Sequence, residues 1–324
     1  MNAHPVRFLL RTVAAGGAMA VAVAAHAQQQ PPDFSKVEIK THKLADNFYT
    51  LDGQGGTVSV LTGPDGILLV DSQFAPLTDR LVAAIKAVDA ADPIRFLIDT
   101  HVHGDHTGGN ENFARLGATI FARDQLRVRL AHPGPLASGA PGIPAAAAAL
   151  PVVTYDGPVT IHLDGEEVRL IPLRNAHTDG DTLVQFVGHD ALATGDIYRG
   201  VGYPYADLNN GGSLKGLLDA LGAVIGRAGP NTRIIPGHGP VTDRAAVIAH
   251  RDLLLAVRDK VAALLAQGKT LDEVIAAKPT AEFDAGVPQG AQGAERFVKW
   301  VYTDLTAGDP TAGKLAAADI KARQ

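Results

Sequence analysis

Short apolar runs separated by turn residues occupy the first quarter of the chain. Val37–Thr41, Asn47–Leu51, Thr57–Leu61 and Ile67–Val70 read as strands, divided by Asp-Asn, Gly-Gln-Gly-Gly and Gly-Pro-Asp-Gly. From Pro76 to Ala91 the period changes to that of a helix, with Leu77, Leu81, Ile85 and Val88 on one face. The run Ile94–Ile98 predicts a buried strand. A helix over Asn110–Leu116, a strand over Ala118–Phe121 and a helix over Arg123–Leu130 complete a first half. His132 to Pro151 is rich in proline and alanine without apolar periodicity, and reads as a crossing loop or lid. Strands resume at Val159–Leu163, Val168–Leu173, Thr182–Val187 and Ala191–Thr194. A helix over Ser213–Gly226, a strand at Arg233–Ile235 and a long helix over Asp243–Leu265 follow, and the tail from Leu271 is mostly helical. A strand-rich run with helices thus occurs twice. That order predicts an α/β architecture of two sheets packed face to face with helices outside.

Composition adjusts this picture at the N-terminus. Arg7 and Arg11 precede the apolar stretch Thr12–Ala25, which closes in Ala25-His26-Ala27. This is the pattern of a secretory signal, 1–27, cleaved before Gln28, and the apolar run is shorter than the ~20 residues of a spanning helix. The expected mature protein is periplasmic or secreted, with a flexible leader over 28–36 and one domain over 37–324 that ends in the helical tail. The chain has 324 residues and a net charge of −5. Losing two arginines with the signal makes it more acidic, and no Lys/Arg cluster longer than a pair appears. A nucleic-acid partner is therefore excluded, and so is a membrane once the signal is gone. There is no cysteine, so any metal site must be built from His, Asp and Glu.

Such a site is visible. His101-Val102-His103-Gly104-Asp105-His106 follows the strand Ile94–Ile98 and runs into Gly108-Gly109. Three imidazoles and a carboxylate in a tight turn are the donors of zinc and its first-row neighbours. Three further segments end a strand on a candidate ligand: Asn175-Ala176-His177-Thr178-Asp179-Gly180-Asp181, Thr194-Gly195-Asp196 and Pro236-Gly237-His238-Gly239. Six or seven N/O donors are too many for one tetrahedral ion, but suit two ions sharing a carboxylate and a hydroxide.

This motif set resembles the metallo-β-lactamase superfamily, over about Val37–Val241. The resemblance implies the four-layer αββα sandwich of that fold. It assigns His101, His103 and His177 to a first metal and Asp105, His106 and His238 to a second, with Asp196 bridging. Asp71, at the end of Ile67–Val70, resembles the superfamily's buried carboxylate that orients ligand imidazoles. The implied cofactor is Zn2+, two per chain, with iron or manganese as alternatives.

Departures from individual branches narrow the choice. The absence of cysteine excludes the lactamase branch with a cysteine ligand, and Asp196 departs from the branch that lacks a bridging aspartate. The tail is too short and too poor in Lys/Arg for a glutathione-binding domain, and no basic extension for RNA is present. What remains resembles a group of exported bacterial hydrolases, through the segments 176–182, Gly211-Gly212-Ser213 and 235–240. The expected reaction is hydrolysis of a small amide, ester or thioester, of β-lactam or lactone type, by a metal-bridging hydroxide that Asp105 orients as the catalytic residue. The alternatives are a mononuclear iron sulfur-dioxygenase-type oxidoreductase and a non-catalytic metal-binding protein of the same fold. Two pocket expectations complete the reading. The short Asp52–Gly56 loop has no aromatic tip and leaves the site open. Tyr198, in the segment Ile197–Asp207, can polarise a substrate carbonyl.

Overall fold

Among the described residues seven strands form a first sheet whose spatial order is the chain order: β1 (Lys40–Ala45), β2 (Phe48–Asp52), β3 (Val58–Leu61), β4 (Ile67–Val70), β5 (Ile94–Ile98), β6 (Thr119–Arg123) and β7 (Val153–Tyr155). The helices of this half are α1 (Thr78–Val88), α2 (Gly104–Thr107), α3 (Asn110–Arg115) and α4 (Asp124–Ala131). The second sheet has five strands, β8 (Val159–Leu163), β9 (Glu166–Pro172), β10 (Thr182–Phe186), β11 (Ala191–Ala193) and β12 (Arg233–Ile235), in the order β12-β11-β10-β9-β8. With it go α5 (Leu214–Arg227), α6 (Arg244–Ala266), α7 (Leu271–Ala276) and α8 (Gly290–Ala307). This computed structural model describes residue 1 and residues 33–135, 140–288 and 290–307. The expected signal beyond residue 1, most of the expected leader and the end of the expected tail lie outside them. The chain divides into the units Met1–Asp33 and Phe34–Gln324, and every element above belongs to the second.

Side-chain alternation explains the layers. In β4, Leu68 and Val70 point into a core shared with Val168, Leu170, Val184 and Phe186 of the other sheet, where Phe48 and Phe186 lie with ring centroids 4.5 Å apart. Ile67 and Leu69, on the opposite face, pack under Leu81 and Ile85 of α1 and Phe113 of α3. A strand buried on both faces reads as a continuous apolar run, as β4 does. The outer face of the second sheet is covered by α5, α6 and α8, which contribute Leu217, Leu221, Val257, Val261, Phe297 and Val301. The result is helix, sheet, sheet, helix: the αββα sandwich.

Two elements differ from expectation. β1 begins three residues later than the apolar run at Val37, because this edge strand is largely exposed and has no face pattern to fix its register. β7 lies just past the expected loop 132–151, in a stretch where no strand is expected. Its three residues pair with β6 in parallel, and Val153 and Thr154 are exposed.

Strand direction positions the site. β4 and β5 are parallel, as are β11 and β12, while β9 and β11 each run antiparallel to β10. The chain therefore leaves β4 and β5 in one direction, and β9, β11 and β12 in another shared direction. Asp71, the 101–106 turn, His177, Asp196 and His238 all follow those ends. Arg123, at the end of β6, is buried and donates to the Leu173 carbonyl at 3.0 Å and to the Asp179 carbonyl, tying the first sheet to the loop that carries His177.

Candidate metal centre

His101 lies three residues beyond the end of β5, and His103, with an extended backbone, serves as the N-cap of the single-turn helix α2. One turn of helix places Asp105 and His106 immediately after it. Asp71 has a left-handed backbone (φ 67°), a strained conformation that turns its carboxylate beneath the 101–106 turn. There Oδ1 accepts the Thr100 amide at 2.8 Å, and Oδ2 accepts the Thr100 hydroxyl at 2.8 Å and His106 Nδ1 at 2.7 Å. Gly195, ahead of Asp196, is also left-handed (φ 50°), and a Cβ there would press on the Thr100 hydroxyl at 2.6 Å. The Asp52–Gly56 loop is a wall of the centre: the Gly56 amide donates to the Asp105 carbonyl at 2.9 Å, and a Cβ on Gly56 would fall inside the His106 imidazole.

Four imidazoles are held by one nitrogen with the other turned inward. His106 donates through Nδ1 to Asp71. Nδ1 of His101 lies 3.0 Å from the Thr100 hydroxyl, whose own proton goes to Asp71. Nδ1 of His177 donates to the Tyr205 carbonyl at 2.9 Å, and Nε2 of His103 to Asp207 Oδ2 at 2.9 Å. These outer bonds fix which nitrogen carries a lone pair toward the centre. The inward nitrogens of His103 and His177 are 3.0 Å apart, and Nε2 of His106 is 3.4 Å from Nε2 of His238.

The donors form two groups: His101, His103, His177 and Asp196; and Asp105, His106 and His238. The donor atoms of each group lie within 4.8 Å of one another. Asp196 faces both groups. Its Oδ2 is 3.7 Å from His177 Nε2, and its Oδ1 is 3.4 Å and 3.3 Å from Nε2 of His106 and His238. His101 Nε2 and Asp196 Oδ1 are buried without a hydrogen-bond partner. Buried orphans of that kind cost free energy unless something binds them, and an imidazole nitrogen beside a carboxylate oxygen suits a divalent cation. The residues fit a metal.

The electrostatics agree. Burial opposes charge on Asp105, yet the hydrogen bond to His238 and the charge of His106 hold its carboxyl down at about 2. Burial likewise opposes charge on His106, but Asp71 and Asp196 draw its pKa well above the ordinary value. His177 goes the other way, lowered to about 4 by burial, against the pull of Asp196. The centre attracts positive charge while part of it stays as neutral imidazole.

The family model for the metallo-beta-lactamase superfamily matches residues 51–265. The chain belongs to the metallo-beta-lactamase superfamily. Solved structures carry the same fold. A metallo-beta-lactamase from Pontibacter korlensis is 19% identical, with a TM-score of 0.55 over 67% of this chain and 99% of that one. The DIM-1 metallo-beta-lactamase is 18% identical, with a TM-score of 0.56 over 68% and 99%. The inverting sec-alkylsulfatase Pisa1 from Pseudomonas sp. is 16% identical, with a TM-score of 0.61 over 84% of this chain; the match spans 51% of that longer protein.

Within this superfamily member all seven expected ligands meet at one centre, with Asp71 beneath it. Tyr198 does not join them, which corrects the sequence expectation. After the turn Gly195–Ile197 its ring enters the core between sheet and helices and packs 5.0 Å from His250 on α6. Tyr205 is the tyrosine beside the centre, its ring centroid 5.9 Å from that of His177. Lys215, just beyond Gly211-Gly212-Ser213, is exposed and paired with Asp219 at 2.5 Å. Ser213 caps α5, accepting the Gly216 amide at 3.0 Å and donating to the Asn175 carbonyl at 2.7 Å. Sequence reasoning missed Thr100 and Asp207. Burial works against the charge of Asp207, but hydrogen bonds from His103 and Asn210 hold its carboxyl far below the ordinary value. Its turn sequence Asp207-Leu208-Asn209-Asn210 signals a cap, and nothing in it signals a histidine partner 104 residues earlier.

Proposed function

We propose that this protein is an exported dinuclear zinc hydrolase acting on a small amide, ester or thioester carbonyl of the β-lactam or lactone type. Asp196 carries the reading, because its two oxygens face different donor groups. A carboxylate so placed suits two cations held by seven donors, whereas one tetrahedral ion leaves half the set without a task. Bound there, two divalent cations would supply Lewis acidity and lower the pKa of water.

The residues of the chain do the rest. The anchored imidazoles keep their inward nitrogens aimed without reorganisation. Asp105 is the acidic group of the centre most open to an arriving molecule, its side chain 28% exposed against 4% for Asp196. Ionised and steadied by His238 Nε2 3.2 Å from Oδ2, it can take a proton from water at that oxygen and return it to the leaving atom. The Thr100 hydroxyl is committed to Asp71 and His101, so it is not a free nucleophile. A hollow of about 500 Å3, bordered by His103, Leu130, Ile143 and Asn209, opens beside the centre and gives a substrate room.

Elemental analysis of purified protein tests the metal content, together with turnover on nitrocefin, lactones, a thioester and, since a sulfatase shares the fold, a secondary alkyl sulfate. Two zinc ions per chain and turnover of a carbonyl substrate are expected. One iron without zinc, or no carbonyl turnover by the zinc-loaded protein, overturns the reading. Export is supported by the 1–27 pattern and predicts a mature N-terminus at Gln28, read by mass spectrometry of protein from its native host.

A further inference from the structure

The hollow of about 500 Å3 beside the centre has one apolar wall, built by Val102, Leu130, Pro133 and Ile143. Ile143 belongs to the proline- and alanine-rich segment after α4 and is 83% exposed. After Met1 it is the most exposed large apolar residue among those described. A lone isoleucine on a surface needs no explanation. This one stands in a concave wall with other apolar residues, and the wall meets the ligand His103. The segment is anchored there, because the Ala145 amide donates to the Leu130 carbonyl at the end of α4 at 2.9 Å. A charged guest finds little in the hollow. Among the described residues Arg129 is its single Asp, Glu, Lys or Arg, and Arg129 is spent on Asp179 at 2.7 Å and on the Asn209 carbonyl at 3.2 Å.

We propose that this wall receives an uncharged, apolar acyl chain, so that the substrates are esters, thioesters or lactones of medium-chain acyl groups and Ile143 sets the preference for chain length. His103 joins the hollow to the centre: it lines the hollow, and its inward Nδ1 lies 3.0 Å from Nε2 of His177. Asp105, which returns the proton to the leaving atom, belongs to the other donor group. The hollow therefore stands on the acyl side of the scissile bond. A chain laid along Leu130 and Ile143 removes apolar area from water on both partners, which is the source of its affinity. The volume lies within the range of about 300–1,000 Å3 usual for small-molecule sites. The inference deepens the hydrolase reading and rests on it.

Two ester series and a binding measurement test it. On zinc-loaded protein, p-nitrophenyl acetate, butyrate, hexanoate and octanoate lengthen the acyl side, and ethyl, butyl and hexyl acetates lengthen the leaving side. In the acyl series kcat/KM should climb about twofold per added methylene, less than full burial gives because one wall covers only part of the chain. The leaving-side series should stay flat. In Ile143→Asn the octanoate-over-acetate preference should fall roughly tenfold, and Ile143→Leu should keep it. Val152→Asn, at an exposed valine outside the lining, should keep it as well. Saturation-transfer NMR with octanamide and acetamide reads binding without turnover: transfer to the chain methyl of octanamide is expected in wild type and should weaken in Ile143→Asn. An unchanged preference and unchanged transfer in Ile143→Asn overturn the proposal. A climb along the leaving-side series alone overturns the acyl assignment. Absence of turnover on every ester counts against the hydrolase reading, and the NMR comparison still decides whether the wall takes the chain.

Discussion

Asp105 and Asp71 both face the His106 imidazole, 3.7 Å from Nε2 and 2.7 Å from Nδ1, yet their tasks differ because their surroundings do. Asp71 is sealed at 2% exposure and saturated by Thr100 and His106, so it can only orient. Asp105 keeps solvent access, with His238 at 3.2 Å and His106 at 3.7 Å from Oδ2. Asp105→Asn should therefore leave the fold intact and remove turnover by at least the roughly 10–100-fold seen for weaker outer changes around metals. Circular dichroism checks the first expectation and steady-state kinetics with metal content the second; wild-type rates in folded Asp105→Asn sink the role. The clustered His and Asp donors were legible in the sequence because each sits in a glycine-bearing turn after an apolar strand. Asp207 was not, since nothing in its turn marks a histidine partner 104 residues earlier. Tyr198 misled for a related reason. Closeness to Asp196 along the chain does not fix the direction in which a short 3-10 turn sends the next side chain.

Elements with two buried faces or a clear helical stripe declared themselves. The strand Ile94–Ile98 and the strand Arg233–Ile235 stand where the apolar pattern puts them, and α6 runs within a residue of its expected bounds. Edge strands such as β1 and β7 lack that pattern, because solvent leaves their side chains unconstrained. One helix contact has a measurable pH signature. His250 on α6 packs against Tyr198, and burial, with the charge of Arg199 added, lowers its pKa to about 4 from the ordinary 6.5. The unfolded chain binds this proton below 6.5 and the folded chain only near 4. The stabilisation is complete above 6.5 and is lost as pH falls toward 4. Denaturant midpoints at pH 7 and pH 5 should drop more in wild type than in His250→Gln; equal drops would remove His250 from the account.

At the scale of the molecule, the centre is assembled across the seam of the sandwich. His101, His103, Asp105 and His106 come from the sheet of β5, whereas His177, Asp196 and His238 follow strands of the other sheet. Cation binding to such a seam stabilises the whole fold by mass action, by about 2.7 kcal/mol at a free-ion concentration 100 times Kd. Stripping metal with a chelator should lower the melting temperature in a concentration-dependent way, and adding zinc back should restore it. A melting temperature indifferent to both treatments would place the donors somewhere other than a shared site.

Three consecutive residues at 205–207 deserve a last consequence. The Tyr205 carbonyl steers His177, the Asp207 carboxylate steers His103, and Tyr205 also lines a cavity of about 280 Å3 between the 199–205 segment and α8. This stretch works as a common lever: displace it and two imidazoles swing together while the cavity changes shape. Adaptation to a new substrate through this segment is then expected to carry a toll in metal affinity, so that lineages selected for one trait drift in the other. A screen of variants across 205–207, scored separately for zinc retention and for substrate range, should return the two scores correlated.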